Sequence, residues 1–124
     1  MRVLIIDDSR TMRNIVKSVL TTMRVTATEE AGDGEEGLRK TTAFGPDLIL
    51  CDWNMPVMDG LTFVKNLRAT GNKAPVVMVT TEAEKSRVME AIKAGVNNYA
   101  VKPFTPESLS KVIIATMEKA RAAA

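Results

Sequence analysis

The sequence contains no histidine and only one cysteine, Cys51. Without an imidazole the chain lacks the most common metal ligand and general base, so chemistry that requires one must come from a partner. A single cysteine excludes an internal disulfide and is typical of a reducing, cytoplasmic location. We interpret Cys51 itself as a small hydrophobic residue of a central strand.

The chain also has neither a large excess of one charge nor a long apolar run. The net charge is +2 and aromatic residues make up 4% of the chain, with no basic run or aromatic ladder of the kind that binds nucleic acid. The longest apolar stretch is far shorter than a membrane span. The apolar start of the chain reaches Asp7 at once, which is unlike a signal peptide. We therefore expect no nucleic-acid partner and no membrane insertion.

The apolar pattern predicts a single α/β domain. With 124 residues, of which 45% are hydrophobic, the chain is long enough for one domain with a substantial core. Short aliphatic strands alternate with amphipathic helices, a pattern typical of a doubly wound parallel sheet with helices on both faces. The strands are predicted at residues 2–7, 25–30, 47–52, 75–80 and 98–102. The helices are predicted at residues 12–23, 35–44, 61–71, 84–94 and from 105 onward.

Local signals define several helix ends and faces. Ser9 is placed to cap the first helix, Thr105 followed by Pro106 opens the last, and Gly95 is expected just beyond the fourth. The inward faces of these helices are predicted to contain Met12, Ile15, Val16, Val19, Leu20 and Met23; Val88, Ala91 and Ile92; and Leu109, Val112, Ile113 and Met117. Ile114 lies well off the last stripe, either as a scattered surface residue or as part of a partner-binding face.

Four of the five predicted strands end in a polar functional group: Asp7 followed by Asp8, then Asp52, Thr80 and Lys102. Because the carboxyl ends of parallel strands meet at one edge of the sheet, these side chains are expected to lie together. Three converging carboxylates repel one another by roughly 4 kcal/mol per pair, so a divalent cation and one ammonium would balance them. Oxygen ligands alone favour a hard ion, Mg²⁺ or Mn²⁺. An aspartate beside such an ion can attack phosphorus, with Lys102 and Thr80 holding the phosphoryl oxygens.

Two stretches add a family resemblance to these positions. Residues 52–60 (DWNMPVMDG) and 99–104 (YAVKPF), together with the strand-end residues, resemble response-regulator receiver domains, and single-domain chemotaxis regulators in particular. The likeness runs over essentially the whole chain. It implies a flavodoxin-like sheet of five strands in the order 2-1-3-4-5, and a receiver domain over 1–124 with no output domain. It also implies a cytoplasmic monomer that is not an enzyme, apart from its own phosphorylation and dephosphorylation.

The resemblance implies roles for the acidic residues. Asp52 would accept the phosphoryl group, and Asp7, Asp8, Asp52 and the backbone carbonyl of Asn54 would hold Mg²⁺. Trp53 lies next to the phosphoacceptor in the chain, so its fluorescence is expected to report Mg²⁺ binding.

Four further positions would carry the phosphoryl contact and the switch. Lys102 would pair with the phosphoryl group, and its peptide bond to Pro103 would be cis. Thr80 would move towards the phosphoryl oxygen, and Tyr99 would swing inward into the space that Thr80 leaves. From the residues alone, Tyr99 is also explained as an amphipathic ring on an edge strand.

Three positions are expected to tune phosphoryl turnover. Asn54 and Glu82 match family positions that set how fast water reaches the acyl phosphate. Thr81 departs from the family, because that position beside the phosphoryl pocket usually carries a small residue. A β-branched side chain there is expected to narrow access for small phosphodonors.

Several functions are compatible with these features. The first is a phosphorylation-activated switch that is loaded by a histidine kinase of the chemotaxis type and binds a flagellar motor switch protein, with a phosphatase as a further partner. The second is a single-domain phosphocarrier or phosphate sink in a histidine–aspartate phosphorelay. A phosphohydrolase ranks below both, because the acid that such enzymes carry two residues after the nucleophile is replaced by Asn54. A nucleotide- or flavin-binding module ranks lowest, because the chain has no Gly-x-x-x-x-Gly-Lys phosphate loop.

Overall fold

The computed structural model describes residues 1–81 and 85–123, in which five strands alternate with five helices. The strands are β1 (Arg2–Ile6), β2 (Ala27–Ala31), β3 (Leu48–Asp52), β4 (Val76–Thr80) and β5 (Asn98–Val101). The helices are α1 (Arg10–Thr22), α2 (Gly34–Phe44), α3 (Gly60–Ala69), α4 (Lys85–Ala94) and α5 (Pro106–Ala123). No helix in these described ranges is both long and apolar enough to cross a membrane.

All neighbouring strands are parallel, in the order β2-β1-β3-β4-β5, which confirms the predicted α/β fold and strand order. On one face α2, α3 and α4 cover a core cluster that includes Ile49 and Cys51 of β3. On the other face α1 and α5 cover a cluster that includes Leu48 and Leu50 of the same strand. Because both faces are buried, β3 is an aliphatic run rather than an alternating one, and Cys51 is a buried hydrophobic residue as interpreted.

The strand register brings the predicted functional groups to one edge of the sheet. Asp7 and Asp52 occupy neighbouring positions, each directly after the last residues at which β1 and β3 are paired. Lys102 follows the residue of β5 that lies opposite Thr80 of β4. The carboxyl ends of four strands are therefore set side by side, as a parallel sheet requires.

The helix ends follow the local signals in the sequence. The Ser9 Oγ accepts a hydrogen bond from the Met12 N–H at 3.1 Å, and the Thr105 Oγ1 accepts one from the Ser108 N–H at 3.0 Å. Gly95 ends α4 with a φ of 110°, a left-handed conformation that favours glycine. The predicted start of α4 at residue 84 lies outside the described residues.

Two residues predicted to point inward are exposed instead. Ile15 on α1 is 44% exposed and Ile92 on α4 is 53% exposed. Each is adjacent in sequence to a buried residue, Val16 or Ala91, and successive helical residues point about 100° apart. Both isoleucines therefore lie at the edge of a buried stripe rather than on it.

The second strand begins later than predicted, at Ala27 rather than residue 25. Arg24 has a φ of 63°, and the Val25 N–H donates to the Leu20 carbonyl at 2.9 Å. These residues still satisfy the carbonyls at the end of α1, so the chain becomes extended only after them.

Candidate functional site

Three aspartates form the centre of the candidate site. Asp7 and Asp8 follow β1, and Asp52 is the last residue of β3, the neighbouring strand. One carboxylate oxygen from each residue lies within 4.8 Å of the others. Asp7 and Asp52 are buried whereas Asp8 is exposed, so the cluster opens to solvent on one side. Carboxylate oxygens with an open side fit a hard divalent cation that keeps several of its waters.

Lys102 brings a positive charge to this acid cluster. It lies just after β5, and its Nζ is 3.3 Å from Asp7 Oδ2 and 3.2 Å from Asp52 Oδ1. The peptide bond between Lys102 and Pro103 is cis. One ammonium against three carboxylates leaves two negative charges unbalanced, which matches the charge of a divalent ion.

Burial and neighbouring charge raise the pKa of two groups at the end of β3, Asp52 and Cys51. Burial raises the pKa of the Asp52 carboxyl and the charge of Asp7 raises it further, while Lys102 acts to lower it. Burial also raises the pKa of the Cys51 thiol well above its usual range, with the charge of Asp52 adding to the effect. Cys51 is therefore a thiol rather than a thiolate nucleophile. Asp52 is the better candidate nucleophile, because its incompletely balanced carboxylate lies where a cation can meet it.

The backbone around Asp7 is supported by two residues that the sequence did not reveal as part of the site. The Ser9 N–H donates to Asp7 Oδ1 at 2.9 Å, and Arg13 Nη1 donates to the Asp7 carbonyl oxygen at 2.6 Å. The Nε of Arg13 also pairs with Glu30 on β2 at 3.0 Å. The position of Arg13 could have indicated this role, because Arg13 lies four residues after the Ser9 cap and therefore one turn into α1.

Gly60 allows α3 to begin against the end of β3. A Cβ at this position would collide with the Asp52 carbonyl oxygen and would lie 2.8 Å from Met78 Sδ. The Asp59 side chain caps the helix that starts here. Asn54 is exposed in the same loop, two residues after Asp52. The loop therefore keeps close to the acid cluster because a glycine, and no larger residue, fits at its end.

The end of β4 adds a hydroxyl to the same edge of the sheet. Thr80 is buried, and its carbonyl oxygen accepts a hydrogen bond from the Lys102 N–H at 2.7 Å. The next residue, Thr81, is exposed. Glu82, the other residue expected to tune turnover, lies outside the described residues. The structure thus places Thr80 beside the strand that carries Asp52 and beside the strand that leads to Lys102.

Trp53 and Tyr99 have opposite environments. Trp53 is 2% exposed, and the guanidinium carbon of Arg87 lies 4.5 Å from the centroid of its ring. Tyr99 on the edge strand β5 is 39% exposed. The sequence carried no signal for the contact with Arg87, because α4 and the loop after β3 are far apart in the chain.

The structure does not bring Ile114 together with Tyr99. Ile114 lines a crevice beside α1 with Met23 and Met117, whereas its neighbour Ala115 lines a groove between α4 and α5. Ile114 and Ala115 therefore flank opposite sides of the buried stripe of α5, which contains Leu109, Ile113 and Thr116. The groove has a volume of about 510 Å³ and is lined by Ile92, Val96, Asn98, Ala115, Thr116 and Lys119, among others.

Comparison with known proteins agrees with this geometry. The model of the response regulator receiver domain family matches residues 3–114. The chain is 46% identical over 114 residues to chemotaxis protein CheY1 of Helicobacter pylori, covering 90% of this chain and 92% of that protein. It is 41% identical over 121 residues to chemotaxis protein CheY-3 of Vibrio cholerae, covering 96% and 93%. The structure of V. cholerae chemotaxis protein CheY4 superimposes with a TM-score of 0.86 at 37% identity, covering 93% of this chain and 97% of that one. On the family match, the two relatives and the shared architecture, this chain belongs to the response regulator receiver domain family.

Proposed function

We propose that the chain is a phosphorylation-activated signalling switch in which Asp52 accepts a phosphoryl group from the phosphohistidine of a partner kinase. The observation that carries this proposal is the convergence of Asp7, Asp8 and Asp52 on one another, with Lys102 bound to two of them. An Asp52 carboxylate oxygen attacks phosphorus, the nitrogen–phosphorus bond breaks, and the leaving imidazole takes the bonding electron pair and a proton from solvent. The product is an acyl phosphate on Asp52.

The residues that would hold Mg²⁺ are Asp7, Asp8, Asp52 and the carbonyl of Asn54, and Mn²⁺ would suit the same oxygen ligands. When bound, the ion supplies positive charge that offsets the charge of the phosphoryl oxygens. Lys102 lies within reach of Asp52 and would pair with a further phosphoryl oxygen. We expect Mg²⁺ to perturb the fluorescence of Trp53, and a flat titration would count against the metal site.

Thr80 and Tyr99 are the proposed switch residues. Thr80 lies at the carboxyl edge beside the acid cluster, and Tyr99 is the exposed ring of the next strand. In the proposed active state the Thr80 hydroxyl turns towards the phosphoryl group and the Tyr99 ring moves inward. The phosphoryl group then favours this state because it interacts with Thr80 only there.

The proposed output is a protein contact on α4, β5 and the facing side of α5. This surface, which we call the output face, exposes the apolar side chains of Met89, Ile92, Tyr99 and Val101 and borders the groove between α4 and α5. The similar proteins of H. pylori and V. cholerae are chemotaxis proteins. We therefore propose a chemotaxis kinase as the donor, a flagellar motor switch protein as the target and the cytoplasm as the location.

The test uses the Mg²⁺–beryllofluoride form, in which BeF₃⁻ on Asp52 stands in for the phosphoryl group. This form is titrated against a motor switch peptide and against a histidine phosphotransfer domain, with Asp52→Asn as the control that cannot be loaded. Tighter binding of the motor peptide alone supports the switch. Tighter binding of the phosphotransfer domain alone would favour a phosphocarrier, and the absence of any beryllofluoride effect would remove the switch.

A pair of variants tests the position of the output face. Ile92→Asp places a charge beside the groove between α4 and α5, and should weaken binding of the target at least tenfold. Ile114→Asp is the matched control, because Ile114 is similarly exposed, at 48%, but lies on the α1 side of α5. Equal loss in both variants would mean that the target uses the other side of α5 as well.

A further inference from the structure

Arg87 lies over the ring of Trp53 in the first turn of α4. Its guanidinium carbon is 4.5 Å from the ring centroid, within the range of a cation–π contact. The Nε of Arg87 is buried and has no hydrogen-bond acceptor among the described residues. A buried donor without an acceptor is unusual and costs free energy, and the Trp53 ring is the contact that the structure shows for this guanidinium.

Trp53 is held close to the proposed phosphoacceptor by its place in the chain and by its backbone. It is the residue directly after Asp52, and its carbonyl oxygen accepts a hydrogen bond from the Gly60 N–H at 2.7 Å. A Cβ on Gly60 would lie only 3.0 Å from the Trp53 Cα, so the backbone here is closely packed. The Trp53 ring thus connects the end of β3 to the guanidinium of Arg87.

Arg87 also connects this ring to the output face. It lies on the same helix as the exposed residues Met89 and Ile92, while Ala91 packs inward. The charged group of Arg87 contacts the segment that follows the phosphoacceptor. The contact between Arg87 and Trp53 therefore links α4, which carries part of the output face, to the segment after Asp52.

We propose that Arg87 is a positioning residue that couples the acid cluster to α4, because its contact with Trp53 holds α4 in the orientation in which Tyr99 is exposed. This inference rests on the proposed function, since it assigns a residue to coupling within that switch. A contact that stabilises the state with Tyr99 exposed lowers the apparent affinity for any ligand that prefers the state with Tyr99 turned inward. Removing the contact should therefore tighten beryllofluoride binding, which a merely structural role would not do.

The test compares the full-length wild type with Arg87→Met and Arg87→Lys in the presence of Mg²⁺. Occupancy by beryllofluoride is followed by ¹⁹F NMR, and the contact is followed by the emission of Trp53, the single tryptophan of the chain. Arg87→Met should lower the midpoint of the beryllofluoride titration by about threefold or more and should abolish most of the emission change on loading. Arg87→Lys keeps the charge without the planar guanidinium, so its titration midpoint should lie between those of the wild type and Arg87→Met.

Arg2→Met is a matched control, because Arg2 lies 4.6 Å over the ring of Phe44, away from the acid cluster. It should leave the beryllofluoride midpoint unchanged. Urea unfolding of each variant separates a loss of stability from a loss of coupling. If the wild type binds beryllofluoride and Arg87→Met has the same or a higher midpoint, the inference is wrong and the proposed function stands. If the wild type itself binds no beryllofluoride, the proposed function fails and this inference with it.

Discussion

Two partly buried cations, Lys102 and Arg68, lie at opposite ends of the sheet, and their surroundings differ. Lys102 is at the carboxyl edge, where it contacts two carboxylates of the acid cluster. Arg68, near the end of α3, lies by the amino ends of β4 and β5. Its guanidinium donates at 2.8–3.2 Å to the carbonyl oxygens of Asn72, Ala74 and Gly95 and to the side chain of Asn97.

The difference shows how one fold separates stability from reactivity. The acceptors around Arg68 are neutral and well matched to its donors. Gly95, whose φ of 110° favours glycine, also leaves room for the guanidinium, since a Cβ there would lie 2.9 Å from Arg68 Nε. At the other end, the carboxylates around Lys102 outnumber the ammonium, and burial together with the charge of Asp7 raises the pKa of Asp52. The amino end therefore stabilises the fold, whereas the carboxyl end keeps unbalanced negative charge, which the proposed function assigns to binding a cation and accepting a phosphoryl group.

Lys102→Met should have the largest effect. We expect phosphoryl transfer from a phosphohistidine donor to Asp52 to slow by about 10²-fold or more, because the variant loses the cation that faces the phosphoryl oxygens. The measurement is the initial rate of transfer in saturating Mg²⁺. Lys65→Met, which removes an exposed lysine of α3, is the control and should transfer at the wild-type rate. A Lys102→Met rate within threefold of wild type would contradict the role assigned to Lys102.

Arg68→Met should act on stability instead. Three backbone carbonyls would lose a charged donor, and we expect the free energy of unfolding to fall by about 2–3 kcal/mol. Urea unfolding measures this change, and Arg68→Lys should lose less because it keeps one donor group. In urea-free buffer, where Arg68→Met is still folded, its rate of phosphoryl transfer should stay within about twofold of the wild-type rate. A large loss of transfer in the folded variant would mean that the two ends are coupled.

Asp52→Asn should raise stability by a smaller amount. Because the pKa of folded Asp52 is raised, ionising this carboxyl opposes folding, and the penalty is absent below the unfolded pKa, near pH 4. Without divalent ions, the variant should therefore be more stable than wild type at pH 7 by on the order of 1 kcal/mol. Urea unfolding at several pH values should show this advantage shrinking as the pH falls towards 4. A difference that is independent of pH would rule out the charge explanation.

Thr81→Ala should have the smallest effect. Thr81 is exposed next to Thr80, so a smaller side chain should open access and speed phosphorylation by acetyl phosphate by about threefold, equivalent to about 0.6 kcal/mol of barrier. Thr81→Val keeps the β-branched shape without the hydroxyl and should react like wild type. If the valine variant is as fast as the alanine variant, the hydroxyl rather than the bulk of Thr81 limits access.

Much of the candidate site could be predicted from the sequence, because strand-end positions depend on local pattern alone. Asp7, Asp52, Thr80 and Lys102 each follow or end a short aliphatic run, and a parallel sheet brings such ends together. The strand order came from the family resemblance rather than from the pattern. Residues near the edge of a helical stripe were less predictable, as Ile92 shows.

The sequence by itself determined the order and approximate positions of the strands and helices, because aliphatic runs and amphipathic spacing are encoded over a few neighbouring residues. It also determined that acidic and basic groups meet at one edge of the sheet. Only the tertiary structure decided that Arg87 lies over Trp53, that Arg68 joins α3 to the start of two strands, and that Ile114 faces away from the output face. These contacts join residues far apart in the chain, so they depend on how the helices pack against the sheet rather than on any local pattern.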